Sequence, residues 1–307
     1  MTKYSVGIDV GGTNVKFGLI ENAGRIIARR TLSTKNYASS RKKLINALIN
    51  SIELLIKDVK KSQVCGVGIG LPGLINSKVG VVNFLPNVPG WRNVPLKRIM
   101  QDELKMPVCI DNDVNLITLG EWKFGAGKTY KNLVCMTLGT GVGSGLVLNN
   151  RIYRGEGFAA GELGHVPLNE KGLKCSCGGE ACFETYVGNR ALTAKAAKLF
   201  KLKNIRLEEV YELAEMGNVR AVQFWQEAAV HIGNALVGLV NLLNPRLIII
   251  GGGVSNNYKY LGQTISKIVS TRCMNVQAKM VKIVRSKLGD DAGIIGAHVL
   301  VKEGKVE

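Results

Sequence analysis

One short stretch of the chain, residues 161–184, concentrates residue types that bind metals. Its soft ligands follow the spacing His-x9-Cys-x-Cys-x4-Cys and are His165, Cys175, Cys177 and Cys182. One imidazole and three thiolates suit tetrahedral zinc, and cysteines separated by a single residue are poorly placed for a local disulfide. Four protein ligands close the coordination shell. The spacing therefore predicts a structural zinc, with iron–sulfur ligation as the less favoured alternative.

Two carboxylates lie in the same stretch as these metal ligands. Glu162 stands three positions before His165, and Glu184 stands two positions after Cys182. A bound zinc would hold Glu162, His165 and Glu184 in fixed directions. Because carboxylate and imidazole groups hydrogen-bond hydroxyls, we expect these side chains to form one wall of a pocket for a polyol.

A second polar group, Asp111-Asn112-Asp113, follows an apolar run at 108–110 that is typical of a buried strand. Ligands usually bind at this edge of an open α/β sheet. Phosphoryl transfer to an alcohol needs a carboxylate that accepts the hydroxyl proton, and Asp113 is the candidate base. All three residue types also favour a helix N-cap, which the helix expected through Gly120 requires. We expect one of them to cap this helix while another faces the ligand.

Three glycine clusters each follow a predicted strand, namely Gly11-Gly12-Thr13, Gly139-Thr140-Gly141 and Gly251-Gly252-Gly253. Turns without Cβ atoms let backbone N–H groups approach phosphate oxygens, and Thr13 and Thr140 add hydroxyl donors. A single cluster of this kind is usually only a turn. Three of them together favour nucleotide binding.

A further glycine segment, Gly125 to Thr129, resembles the end of a Walker A loop. Trp122 stands where that motif needs its first glycine, and the segment precedes a strand instead of following one. We therefore expect only a surface turn here.

The strands around the first two glycine clusters repeat. Residues 4–32 and 133–154 both predict the order strand, glycine turn, strand, turn, strand. A shift of 127 positions aligns six residues of the first copy with the second, pairing Gly12 with Gly139, Thr13 with Thr140, Val15 with Val142, Gly18 with Gly145, Leu19 with Leu146 and Asn22 with Asn149. The repeat predicts two related halves facing across a cleft.

The rest of the chain predicts further helices and strands. Helices are expected at about 39–61, at about 96–103 and between 189 and 244 with breaks near 204 and 217. Residues 289–297 predict a loop that enters a terminal helix. Strands are expected at 65–70 and 247–250, and a proline-punctuated loop at 83–91.

The composition of the 307 residues, 46% hydrophobic and 21% charged, is that of an ordinary globular protein. No signal peptide is evident at the N-terminus, so we expect a cytoplasmic protein without disulfides. Polar residues interrupt the longest uncharged run, 228–245, which predicts a buried helix and no membrane span. The formal charge of +18 permits polyanionic partners, but the basic residues are spread over polar helix faces. We therefore expect no nucleic-acid partner.

Taken together, these residues resemble the ROK family (repressors, open reading frames and kinases) of the actin-like ATPase superfamily, over essentially the whole chain. The motifs that carry the resemblance are Asp9-Val-Gly-Gly-Thr-Asn-Val-Lys16, Leu71-Pro-Gly73, the loop from Asn87 to Trp91, Asn112-Asp113, Gly161-Glu-Leu-Gly-His165 and the cysteine segment that ends at Glu184. The chain departs from the family pattern at Ala181, where glycine is usual, and at Asp111, where glutamate is more frequent.

The resemblance implies a role for each matching residue. It places ATP and Mg2+ against Asp9, Gly11, Gly12, Thr13, Lys16, Thr140, Gly141, Gly252 and Gly253. It places a hexose against Gly73, Asn87, Asn112, Asp113, Glu162, His165 and Glu184, with Asp113 as the catalytic base. It makes His165 a ligand of both sugar and zinc, through one ring nitrogen each, while Cys175, Cys177 and Cys182 complete the metal site.

The implied fold is a two-lobed α/β actin-like ATPase (ribonuclease H-like) fold with a duplicated βββαβα core and an inter-lobe cleft. The expected smaller lobe is 1–117, to which a C-terminal helix at about 294–307 returns, and the larger lobe is 118–293. The implied activity is ATP-dependent phosphorylation of a hexose, with glucose 6-phosphate as the expected product, and the implied assembly is a homodimer or homotetramer.

Alternatives stay open at this point. The acceptor can be fructose, allose, N-acetylmannosamine or N-acetylglucosamine, because the same ligands serve several pyranoses. Polyphosphate is a conceivable donor on charge grounds, although the zinc motif resembles the ATP-using branch. A sugar-sensing regulator is less favoured, because only eight residues precede Asp9 and such a regulator is expected to carry a DNA-binding domain there.

Overall fold

The computed structural model of the chain describes residues 3–37, 39–86 and 88–304. It divides into two compact units, Met1–Thr129 with Ile152–Ala160 and Asp290–Glu307, and Tyr130–Arg151 with Gly161–Gly289. We call them the first and the second unit. The expected lobe boundary after residue 117 stays a prediction.

Strands and helices alternate along both units. The strands are β1 (Tyr4–Val10), β2 (Asn14–Glu21), β3 (Ile26–Ser33), β4 (Val64–Leu71), β5 (Leu74–Asn76), β6 (Val81–Phe84), β7 (Arg92–Val94), β8 (Val108–Asn112), β9 (Leu133–Leu138), β10 (Val142–Leu148), β11 (Arg151–Tyr153), β12 (Leu247–Gly251) and β13 (Lys282–Arg285). The helices are α1 (Arg41–Leu55), α2 (Leu96–Leu104), α3 (Asp113–Lys123), α4 (Glu184–Val187), α5 (Asn189–Phe200), α6 (Leu207–Glu215), α7 (Val219–Leu243), α8 (Tyr258–Arg272), α9 (Asn275–Met280) and α10 (Ala292–Glu303).

The duplication predicted from the glycine turns is present in the strand order of two five-stranded sheets. One sheet has the order β3-β2-β1-β4-β8 and the other has the order β11-β10-β9-β12-β13. In the first, β1 pairs antiparallel with β2 and parallel with β4, and in the second, β9 pairs antiparallel with β10 and parallel with β12. The two glycine turns therefore occupy equivalent places, between the first two strands of each copy.

The first sheet is covered on both faces by helices. Every residue of β4 is buried, as expected for a parallel strand between two helical layers. On one face, α10 packs against α3 and against β1 and β4. A Cβ atom at Gly296 of α10 would overlap the carbonyl of Leu116 in α3, so this glycine sets the distance between the two helices.

Two expectations about elements are wrong in their extent. The helix expected at 39–61 ends at Leu55, and a 3-10 turn at Lys61–Gln63 leads into β4. No glycine or proline marks the end of the helix at Leu55. The helical spacing of apolar residues continues beyond it, which is why the expected helix was too long. The expected loop at 83–91 begins within β6, which pairs with β5 and β7 in a three-stranded sheet. These strands are too short to give a visible alternation.

The helices expected between 189 and 244 agree with α5, α6 and α7, and the expected C-terminal helix corresponds to α10. Residues 305–307 of that expectation lie outside the described residues. Most of the long uncharged run lies in α7, whose buried face includes Ile232, Leu236 and Val240. Among the helices of the described residues, none is long and apolar enough to span a membrane.

The contact at Gly296 generates a stability prediction. Gly296→Ala forces α10 away from α3, and overpacking of this kind costs about 1–3 kcal/mol in the free energy of unfolding. The matched control is Gly238→Ala in α7, where no described atom lies within 4 Å of the new Cβ. That change should stabilise the protein by up to about 1 kcal/mol, because alanine favours helix over glycine. Thermal unfolding followed by circular dichroism measures both, and equal midpoints for both variants would contradict the packing argument.

Candidate active site and metal centre

The junction between β8 and α3 carries the candidate base. Asn112 is the N-cap of α3, and its side-chain oxygen accepts hydrogen bonds from the backbone N–H groups of Val114 (2.9 Å) and Asn115 (3.3 Å). Its amide nitrogen donates to the carbonyl oxygen of Gly73 at 3.2 Å. Asp113 is the first residue of α3, is half-buried, and accepts from the Val114 N–H at 2.9 Å. The structure thus brings Gly73, Asn112 and Asp113 together.

The preceding residue, Asp111, anchors this junction through a buried ion pair. Its side chain is 1% exposed, and one oxygen accepts hydrogen bonds from the Asn112 N–H at 2.8 Å and from the Asn115 side chain at 3.0 Å. The other oxygen accepts from Nε of Arg154 at 2.8 Å and lies 2.6 Å from its Nη2. The partner lies 43 positions away, in a segment without any local signal of its role. Sequence reasoning therefore missed Arg154.

Charged groups meet where β1 ends in the first unit. Asp9 of β1 pairs in register with Lys16 of β2, and the Lys16 ammonium lies 3.4 Å from the exposed carboxylate of Asp290. Burial raises the pKa of the Asp9 carboxyl, and Lys16 acts in the opposite direction. A Cβ atom at Gly293 would overlap the Asp9 carboxylate, so the start of α10 packs directly on it. Carboxylate oxygens are the ligand type that Mg2+ prefers.

The first glycine turn is held by Thr34, another residue that sequence reasoning missed. The Thr34 hydroxyl donates to the carbonyl oxygen of Gly11 at 2.7 Å, and its backbone N–H donates to that of Thr13 at 2.9 Å. At Gly12, no described atom lies within 4 Å of where a Cβ would stand. The turn is therefore fixed from one side and open at Gly12.

The other two glycine turns lie side by side in the second unit. The N–H of Gly139 donates to the carbonyl oxygen of Gly141 at 2.9 Å, which closes the turn around Thr140. Gly252 adopts a left-handed φ of 80° and lies against the backbone of Leu138, where a side chain would overlap it. The two turns are neighbours because β9 and β12 pair in parallel.

The four soft ligands form a cluster in the second unit. The ligand atoms of His165, Cys175, Cys177 and Cys182 all lie within 4.8 Å of one another. Tetrahedral zinc, with bonds of about 2.3 Å to sulfur and about 2.0–2.1 Å to nitrogen, has S···S edges of about 3.8 Å and S···N edges of about 3.6 Å. Two of the measured separations are 3.7 Å between Cys177 Sγ and Cys182 Sγ, and 3.6 Å between Cys175 Sγ and His165 Nδ1. The residues fit a zinc ion.

The two nitrogens of His165 face different groups. Nδ1 points to the thiols, and Nε2 lies 3.9 Å from the carboxylate of Glu162, which is largely exposed. Burial raises the pKa of the Cys182 thiol to about 12, whereas a backbone hydrogen bond at Gly179 lowers the pKa of Cys177. Because zinc binds thiolates, metal binding at this cluster would release protons.

The backbone at Ala181 shows why glycine is usual at this position. Ala181 has φ of 53°, in the left-handed region where glycine is favoured, and its side chain is fully buried. Its carbonyl and N–H still bond to Leu168 and Leu173, both at 2.9 Å. The backbone path that positions Cys182 is therefore kept with alanine at this position. The left-handed conformation of a residue with a Cβ atom is strained.

The remaining expectations are placed as follows. Glu184 is the first residue of α4, and its carboxylate accepts a hydrogen bond from the Val142 N–H. Asn87 lies outside the described residues. The Gly125–Thr129 segment forms a turn after α3, in which the N–H groups of Gly125 and Gly127 donate to the carbonyl oxygen of Glu121.

Over nearly its full length, the chain is similar to a known protein family and to several of its members. The model of the ROK family matches residues 5–304. A glucokinase of Halalkalibacterium halodurans is 34% identical, over 98% of this chain and 96% of its own. A xylose repressor of Caldicellulosiruptor bescii is 31% identical, over 96% of this chain and 77% of its own. The crystal structure of a ROK family glucokinase from Streptomyces griseus, in complex with glucose and AMPPNP, has a TM-score of 0.83 at 30% identity and covers 98% of this chain and 100% of that one.

The ion pair at Asp111 predicts a large effect of removing its partner. Arg154→Met leaves a buried carboxylate without a cation, and we expect a loss of up to about 3 kcal/mol in the free energy of unfolding. Arg151→Met is the matched control, because Arg151 is an exposed arginine three positions earlier, at the start of β11. A surface change of that kind should stay within about 0.5 kcal/mol. Chemical denaturation measures both, and a neutral Arg154 variant would contradict the assigned role.

The cysteine cluster predicts the metal content. Protein purified without chelator should hold about one zinc per chain by elemental analysis, as a closed tetrahedral site requires. Cys175→Ser and Cys177→Ser should each lower that content, whereas Cys273→Ser, outside the cluster, should leave it unchanged. Zinc absent from the native protein, or retained in full by both cluster variants, would count against the site.

Proposed function

The chain belongs to the ROK family, and we propose that it is an ATP-dependent hexokinase that converts glucose to glucose 6-phosphate. The proposal is supported by likeness over nearly the full length to the Halalkalibacterium halodurans glucokinase and to the Streptomyces griseus enzyme that binds glucose and AMPPNP. The fold of the present chain is the α/β fold of the actin-like ATPases. We further propose that it acts in the cytoplasm as a homodimer or homotetramer.

The observation that carries the mechanism is the fixed position of Asp113. The Asn112 cap and the buried Asp111–Arg154 pair hold the β8–α3 junction, and Asp113 projects from the first turn of the helix. We assign Asp113 as the base that accepts the proton of the sugar hydroxyl. As that proton leaves, the hydroxyl oxygen bonds to the γ-phosphorus of ATP and the bond from phosphorus to the β,γ-bridging oxygen breaks, which releases ADP.

The remaining residues are proposed to bind the two substrates. In the first unit, Asp9, Gly11, Gly12, Thr13 and Lys16 bind phosphate and the metal-bound end of ATP, and Gly73, Asn87 and Asn112 bind the sugar. In the second unit, Thr140, Gly141, Gly252 and Gly253 bind ATP, and Glu162, His165 and Glu184 bind sugar hydroxyls. When bound, Mg2+ neutralises phosphate charge, and the Asp9 carboxylate fits it.

Zinc has a structural role in this proposal. His165, Cys175, Cys177 and Cys182 fill four coordination positions and leave none for a substrate. With Nδ1 on the metal, Nε2 of His165 stays available beside Glu162 for a sugar hydroxyl. The metal thereby shapes the sugar site without contacting phosphate.

A second candidate function is a sugar-responsive transcriptional regulator. It is favoured by the likeness to the Caldicellulosiruptor bescii xylose repressor and by the formal charge of +18. The chain spans 77% of that repressor's length. Footprinting over a range of salt concentrations that finds no protected DNA sequence would remove this candidate.

The base assignment predicts the behaviour of Asp113→Asn in an assay that couples ADP release to a colour change. The variant should lose about 100- to 10,000-fold in kcat and keep most of its glucose affinity, because an amide cannot accept the proton. Asp102→Asn, an exposed residue of α2, is the control and should keep full activity. Full activity of the Asp113 variant would refute the assignment.

The same assay on the wild-type protein tests the substrate. We expect the highest kcat/KM with glucose, in a panel with fructose, allose, N-acetylmannosamine and N-acetylglucosamine. Polyphosphate in place of ATP should give no turnover. Preference for another sugar would correct the acceptor alone, and no turnover with any acceptor would overturn the proposed enzyme.

A further inference from the structure

The side chain of Glu184 contacts the glycine turn of the second unit. Its Oε2 accepts a hydrogen bond of 2.9 Å from the backbone N–H of Val142, the first residue of β10. Val142 directly follows Gly141, so the bond is made at the end of the turn assigned above to ATP. A residue assigned to the sugar is therefore attached to the backbone assigned to the nucleotide.

The space around Gly141 agrees with this contact. A Cβ atom at Gly141 would overlap Oε2 of Glu184. Gly139, at the other end of the turn, has no described atom within 4 Å of where its Cβ would stand. The turn is thus closed by Glu184 at Gly141 and open at Gly139, where a phosphate has room to approach the backbone.

A second bond from the same short segment holds the open end of the turn. The backbone N–H of Asn189 donates to the carbonyl oxygen of Gly139 at 2.8 Å. Gly188 lies close to the carbonyl oxygens of both Glu184 and Thr140, so the segment 184–189 packs directly on the turn. Both ends of the turn are therefore bonded to one segment, which begins two residues after the metal-cluster residue Cys182.

The carboxylate of Glu184 has a further oxygen. Oε1 has no hydrogen-bond partner among the described residues, and the side chain is half-buried. A carboxylate has enough lone pairs to accept from the Val142 N–H through one oxygen and from a hydroxyl through the other. Bonds to an ionised acceptor are also stronger than bonds to a neutral one.

We propose that Glu184 is a positioning residue for the phosphate-binding turn as well as a sugar ligand. Oε2 holds the Gly139–Gly141 turn through Val142, and Oε1 receives the sugar hydroxyl. One carboxylate then couples the shape of the nucleotide turn to the presence of the acceptor. This inference rests on the function proposed above.

The test is the affinity for a non-hydrolysable ATP analogue in the absence of sugar, measured by calorimetry. Glu184→Ala removes the acceptor, and we expect about tenfold weaker binding of the analogue. Glu184→Gln keeps a carbonyl oxygen for the Val142 N–H, so its analogue affinity should stay within roughly threefold of the wild type. Both variants should bind glucose more weakly. The matched control, Glu162→Ala, should lose glucose affinity and bind the analogue as the wild type does.

Two patterns of analogue affinity among these variants would overturn the inference. Glu184→Ala with wild-type analogue affinity would remove the positioning role. A loss of analogue affinity in Glu184→Gln or in Glu162→Ala as large as the loss in Glu184→Ala would remove it as well. If Glu184→Ala does not fold, amide hydrogen exchange at Val142 decides instead, because the inference requires protection in the wild type and in Glu184→Gln. A wild-type protein that binds glucose but no ATP analogue would overturn the proposed function itself. That failure appears in the wild type, whereas failure of the inference appears only in the comparison of the variants.

Discussion

The proposed sugar site of the second unit depends on a cluster of four soft ligands, whose ligand atoms all lie within 4.8 Å of one another. Residues 161–183 contain one 3-10 turn and two isolated bridges, and most side chains from Val166 to Glu180 are exposed. A segment with so little regular structure and so few buried groups does not keep a fixed shape by apolar packing alone. We propose that a bound metal ion supplies the missing constraint, since binding free energy at such a site is also folding free energy. In this proposal, Glu162, His165 and Glu184 take their directions from the metal site.

In the first unit, different interactions hold the proposed site residues in position. There a buried ion pair, Asp111 with Arg154, and a helix cap, Asn112, hold the residue that is proposed to act as base. Both devices place polar groups next to a parallel strand end or a glycine turn, where the duplicated sheets leave backbone exposed for ligands. The same strand order thus carries a cluster of four candidate metal ligands in one copy and a buried ion pair in the other.

Much of this arrangement was predictable from the sequence, because its signals are local. The glycine turns recur at a fixed shift, Asn112 stands where a helix needs a cap, and the cysteine spacing is short. Contacts between distant segments gave no such signal: the bond from Arg154 to Asp111, the pinning of the first glycine turn by Thr34, and the bond from the Val142 N–H to Glu184. The small β5–β7 sheet was missed because three- and four-residue strands carry too little alternation, and the end of α1 was missed because no breaker marks it.

The central claim is that the metal shapes the sugar site. It is tested most directly by removing zinc in steps with a chelator and measuring glucose affinity at each zinc content, with circular dichroism as a check on folding. Glucose affinity should fall in proportion to zinc content, while the helical signal of the rest of the protein changes little. Undiminished glucose affinity in fully zinc-free, folded protein would contradict the account.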